Sequence, residues 1–168
     1  MSNSVQTVAP SGSGVIQIVN STVTAASTFV IPHVNQWYNV TGLTISITPK
    51  VATSKIILAA TLNLIPNSNT TVGICFAKNG FPLTIGNGGT TLDTNTTIRG
   101  TSATTPGTMF TSLIFDQDIP GSTTTQTYTI QAYCATASSS LYINRTDTDT
   151  ASNLFGRFIS EIIAMEVL

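Results

Sequence analysis

The chain has 168 residues, a length at which one domain buries roughly 68–70% of its unfolded surface and needs neither disulfides nor a metal to fold. Charged residues make up 8% of it, while 31 Thr, 17 Ser, 12 Asn and 6 Gln give 66 neutral polar residues, so the surface is built from hydroxyls and amides where a typical domain is ~25% charged. Six Lys and Arg against seven Asp and Glu leave a net charge of −1, which excludes the clustered basic field that holds nucleic acid or an anionic membrane surface.

Met1 to Gln6 has neither a basic n-region nor an apolar h-region, and no stretch approaches ~18 uninterrupted apolar residues, so neither a secretory signal nor a membrane span is expected. Residues 1–14 lack a periodic apolar pattern and end in Ala9-Pro10-Ser11-Gly12-Ser13-Gly14. They read as a flexible N-terminal arm ahead of a single domain over residues 15–168.

From Val15 the apolar period is two. Strands are predicted at Val15 to Val19, at Thr28 to Ile31, over the alternation Leu43, Ile45, Ile47, and at Ser54 to Ile65. Thr71 to Ala77 leads into Lys78-Asn79-Gly80, where Asn-Gly supplies the positive-φ pair of a type I′ hairpin and Phe81 to Ile85 runs back. Gly86 to Pro106 reads as a long surface loop. Met109 to Phe115, Thr127 to Ala135, Leu141 to Asn144 and Phe158 to Val167 complete the series. About eight to ten short strands without an intervening helix point to an all-β antiparallel β-sandwich, and at this length to a jelly roll.

The chemistry-bearing residues form no catalytic constellation. Cys75 and Cys134 lie within strands and read as buried thiols, with no CxxC spacing for a metal. His33 is the chain's one histidine and has no Gly-x-Ser-x-Gly elbow to serve. Asp147-Thr148-Asp149 with Ser152 and Asn153 resembles the start of a calcium loop, but it lacks the glycine and glutamate such loops need and reads as a solvated turn. Asp116-Gln117-Asp118 reads as a turn cap. Gly86-Asn87-Gly88-Gly89 precedes no helix and no Lys-Ser/Thr, so no nucleotide site is expected. No cofactor, no metal and no enzymatic activity are expected. Trp37 and Tyr38, beside Asn35 and Gln36, offer either a sugar-stacking ligand face or an anchor for the sandwich edge. The last strand is apolar on both faces near its middle. Ile159, Ile163, Met165 and Val167, with Phe155 and Phe158, are candidates for a subunit interface or for the core, since one face alone can meet a partner.

Val40-Thr41-Gly42-Leu43-Thr44-Ile45-Ser46-Ile47-Thr48-Pro49, followed by Ser54-Lys55-Ile56-Ile57-Leu58, resembles a group of tailed-phage virion proteins and fibre-like modules. Thr127 to Gln131, Leu141 to Arg145 and the closing Ser160 to Val167 follow in the same order. The resemblance implies a homotrimeric jelly-roll module, similar in outline to the tumour-necrosis-factor and C1q fold, displayed on a virion as a capsid decoration, cement or spike protein. Its partners would be further copies of itself and other virion proteins of the capsid or tail, with attachment through the N-terminal arm. The alternative within the same resemblance is a tail fibre or tailspike tip module that binds a host surface glycan. Two departures stand out: the Gly86 to Pro106 segment is not the more basic loop the resemblance implies, and no repetitive shaft precedes the module, which favours a head or tail decoration protein over a long tail fibre.

Overall fold

Alternating apolar residues build two facing sheets whose strands all run antiparallel. The computed structural model describes residues 2–7, 14–33, 36–67, 72–83, 110–134, 140–146 and 156–168, and among these it holds strands and no helix. In chain order the strands are β1 (Ser2–Thr7), β2 (Val15–Val23), β3 (Ser27–Val30), β4 (Trp37–Ile47), β5 (Lys55–Pro66), β6 (Val72–Lys78), β7 (Phe81–Pro82), β8 (Phe110–Asp118), β9 (Gln126–Cys134), β10 (Ser140–Ile143) and β11 (Ser160–Val167).

The larger sheet runs β1-β2-β11-β5, with β8 on the far edge of β5. The near edge of β5 is shared: Lys55 to Thr61 pair with β11, and Leu64 to Pro66 pair with β10, which carries β3 beyond it. The smaller sheet runs β4-β9-β6-β7. Alternation sends Leu43, Ile45 and Ile47 of β4, Ile56, Leu58 and Leu62 of β5, Phe76 of β6, Tyr128 and Ile130 of β9, and Ile162 and Ala164 of β11 into one core. Each is at most 1% exposed, so truncating Leu58 to alanine costs about 2–5 kcal/mol in lost transfer and cavity energy.

Local signals act as the sequence implies at the β6–β7 turn, where Asn79 and Gly80 have φ of 54° and 84°, the left-handed pair that a type I′ turn requires. In β4 the register against β9 shifts between Asn39 and Thr44, with Gly42 at φ 87°, a bulge that only a residue without Cβ accommodates easily.

Three sequence expectations change. Residues 2–7 of the expected arm form β1, six residues in antiparallel register with β2; Ser-Asn-Ser-Val-Gln-Thr carries no apolar alternation because main-chain hydrogen bonds form the pairing. The return strand after the hairpin is two residues, Phe81–Pro82, with Thr84 and Ile85 outside the described residues. Asp116-Gln117-Asp118 caps no turn but ends β8, where Asp118 Oδ2 accepts hydrogen bonds from Lys78 Nζ at 2.7 Å and Tyr128 Oη at 2.8 Å and so ties the two sheets together. The Gly86 to Pro106 loop and the Asp147 to Asn153 segment lie outside the described residues.

Candidate subunit interface and a separate aromatic face

β11 lies between β2 and β5, and its burial alternates strictly. Ile162, Ala164 and Glu166 face the core, so Ile163, Met165 and Val167 stand together on the opposite, outer face. The register sets them in cross-strand rows. Ile18, Met165, Ile57 and Gln117 form one row across β2, β11, β5 and β8; Asn20, Ile163, Ala59 and Phe115 form the next; Thr22, Glu161, Thr61 and Leu113 form the third. Leu113 and Phe115 are 59% and 58% exposed, and Ile159, just ahead of β11, is 57% exposed. An apolar face therefore crosses the larger sheet on the side away from the core.

Sequence reasoning names the β11 half of this face and misses the β5 and β8 half. Its signal was Leu113-Ile114-Phe115, apolar at three successive positions, which in a strand of period two must place apolar side chains on both sides. Phe158 does not join the rows. Its ring lies over Gly156, where any Cβ would clash with it, and its N–H donates to the Asn144 carbonyl at 3.0 Å. Phe155 lies outside the described residues.

Two buried polar clusters fix the position of β11. At its end, the fully buried Glu166 carboxylate accepts hydrogen bonds from Ser54 Oγ at 2.7 Å, Gln17 Nε2 at 2.6 Å, and the backbone N–H groups of Lys50 and Val51 at 2.8 and 3.0 Å. Burial alone would raise the Glu166 carboxyl, but the hydrogen bonds from Ser54, Lys50, Val51 and Gln17 outweigh it and hold the group below the ordinary glutamate range. At its start, Ser160 Oγ donates to Asn144 Oδ1 at 2.6 Å and accepts from the Asn63 N–H at 3.0 Å. Asn63 Nδ2 donates to the Ile159 carbonyl at 2.6 Å, and Asn144 Nδ2 to the Val23 carbonyl at 2.6 Å.

Trp37 and Tyr38 do not share a face, because neighbours in a strand point to opposite sides. Tyr38 packs against the core cluster. Trp37 lies on the outer face of the smaller sheet, 5.7 Å from the Tyr133 ring at 46°, and reaches across β9 until its Cη2 is 3.1 Å from where a Cβ on Gly73 would sit. Trp37, Tyr133 and Gly73 are one cross-strand row, and Asn39, Gln131 and Cys75 are the next. In that second row Gln131 Nε2 donates to Asn39 Oδ1 at 2.8 Å and to the Gly80 carbonyl at 3.0 Å.

Cys75 is a free, fully buried thiol. Burial, with the nearby Asp116 charge adding to it, pushes it up to about 12, far from the thiolate that a nucleophile or metal ligand needs. Burial also raises Tyr128, with its hydrogen bond to Asp118 and the Asp118 charge acting in the same direction. The Cys134 side chain lies outside the described residues, and His33 is exposed. No protein-family model matches the chain, and no curated protein matches it.

Proposed function

We propose that this chain is a non-enzymatic structural protein of a virion, a capsid decoration, cement or spike module that assembles as a homotrimer through the outer face of its larger sheet. The observation that carries the reading is the row arrangement of Ile18, Ile57, Ile163, Met165, Leu113 and Phe115 on that face. Leaving such a surface in water is unfavourable by about 25 cal/mol per Å² of apolar area, and contiguous apolar patches mark interaction sites. A second copy supplies the missing cover.

The strand order supports a jelly roll as the fold of this module. β2 pairs with β11, β4 with β9, β5 with β8, and β6 with β7, the nested pairing of a long hairpin whose two arms are wrapped together into facing sheets. In this reading residues 1–14 carry the attachment to capsid or tail, and β1 gives the sheet an edge at which the particle docks.

Light scattering across a dilution series tests the assembly. The expected mass is near three times 17.6 kDa for the wild-type chain. Phe115→Asp and Leu113→Asp alter side chains already exposed in the single chain, so both should fold and both should scatter as monomers. A wild-type monomer at every concentration, or variants that keep the wild-type mass, would sink the interface; immunogold labelling of particles then tests the virion location separately.

A further inference from the structure

The outer face of the smaller sheet has a different character from that of the larger one. Down β4 and β9 its rows are Trp37 with Tyr133, Asn39 with Gln131, Thr44 with Thr129, and Ser46 with Thr127, and none of these residues is charged. The Trp37 ring rests one end on Gly73, a position where a side chain would lift it. Asn39 is exposed, and with its Oδ1 engaged by Gln131 its orientation is fixed. Asn39 stands two residues along the strand from Trp37, about 6.6 Å away on the same face.

We propose that Trp37, Tyr133 and Asn39 form a binding platform for a neutral saccharide chain. The electron-rich face of an indole matches the C–H face of a pyranose ring, and a held amide beside it meets the hydroxyls at the rim. A phosphate- or carboxylate-bearing ligand finds no cation on these rows, and a protein partner of the usual kind finds no apolar core on them. Across β9 the second row is covered, with Gln131 and Cys75 2% and 0% exposed, so the accessible part of the face runs along β4 from Trp37 and Asn39 to Thr44 and Ser46, a strip that suits an extended chain better than one enclosed sugar. The inference is independent of self-assembly, because the two faces belong to different sheets.

Trp37 is the one tryptophan of the chain, so its emission reports on the platform without labelling. The full-length chain is titrated with cellotetraose, maltotetraose and chitotetraose. The expected result is a saturable emission change with at least one of them, half-complete on the order of 1 mM. Asn39→Ala, which leaves Gln131 Nε2 its bond to Gly80, should weaken that binding about two- to tenfold. Trp37→Ala should abolish it in ligand-observed NMR, and Phe115→Asp should leave it unchanged. No saturable change up to about 20 mM, roughly twentyfold above the expected half-saturation, overturns the proposal. So does binding that persists in Trp37→Ala, or binding that Asn39→Ala does not alter.

Discussion

Asn144 donates its backbone N–H to the Asn63 carbonyl at 2.9 Å, and this bond sits where the near edge of β5 passes from β11 to β10. A strand that changes partner exposes main-chain groups at the junction, and buried groups of that kind must find partners. Here the two asparagines and Ser160 provide them. Asn63 adds a bond from Thr111 Oγ1 at 2.8 Å, which reaches the β8 side of the same strand.

Asn144 has φ of 57°, a left-handed conformation that asparagine tolerates and alanine resists. Asn144→Ala should therefore lose both the side-chain bonds and conformational compatibility, costing roughly 3 kcal/mol or more in urea unfolding. Asn144→Gly loses the same bonds but accepts the backbone, and should be milder by about 1 kcal/mol. Equal losses would mean that the backbone conformation contributes nothing.

Glu166 predicts an acid limb. Its native carboxyl releases its proton at lower pH than in the unfolded chain, so its contribution is complete above about pH 4.3 and is lost as pH falls through the native value. Chemical denaturation between pH 6 and pH 2, a span of about 4 units set by that ordinary value, should show wild-type stability falling over the lower half. Glu166→Gln should start about 2 kcal/mol lower at neutral pH and lose part of that slope.

Cys75 should be inert while the chain is folded. With its thiol at about 12 and no exposed surface, a disulfide reagent at pH 8, roughly 4 units below the native value, finds almost no thiolate. In a Cys134→Ser background, labelling should follow the unfolding rate, and fast labelling in native buffer would show that the β6 segment opens on its own.

Gly73→Ala should be felt at Trp37. The added methyl would sit 3.1 Å from the indole, tighter than ordinary van der Waals contact, so the ring must shift. The expected signs are an altered near-ultraviolet circular dichroism signal and a shifted tryptophan emission, with a stability loss of about 1–2 kcal/mol.

Much of the sandwich was legible from period-two patterning. Leu43, Ile45 and Ile47 point inward as their spacing implies, and Ile163, Met165 and Val167 share one face as their parity implies. What escaped was whatever depends on partners distant in the chain. β1 was not legible because pairing through main-chain hydrogen bonds leaves no hydrophobic trace in Ser-Asn-Ser-Val-Gln-Thr. The role of Glu166 left no local trace, since its partners Gln17, Lys50, Val51 and Ser54 lie more than a hundred residues away. Trp37 and Tyr38 looked like one feature because they are adjacent in the chain, while strand geometry separates them.

The place of β11 between β2 and β5 gives the chain an order of construction. Until Ser160 to Val167 have left the ribosome, the β1-β2 ribbon and the β5-β8 ribbon have no strand between them, and each presents an open edge with apolar side chains on it. Edges of that kind template pairing with other chains. Nascent copies held close together on one messenger are then most prone to mispair in the interval before the eight residues of β11 are free, and β11 acts as the seal that ends it.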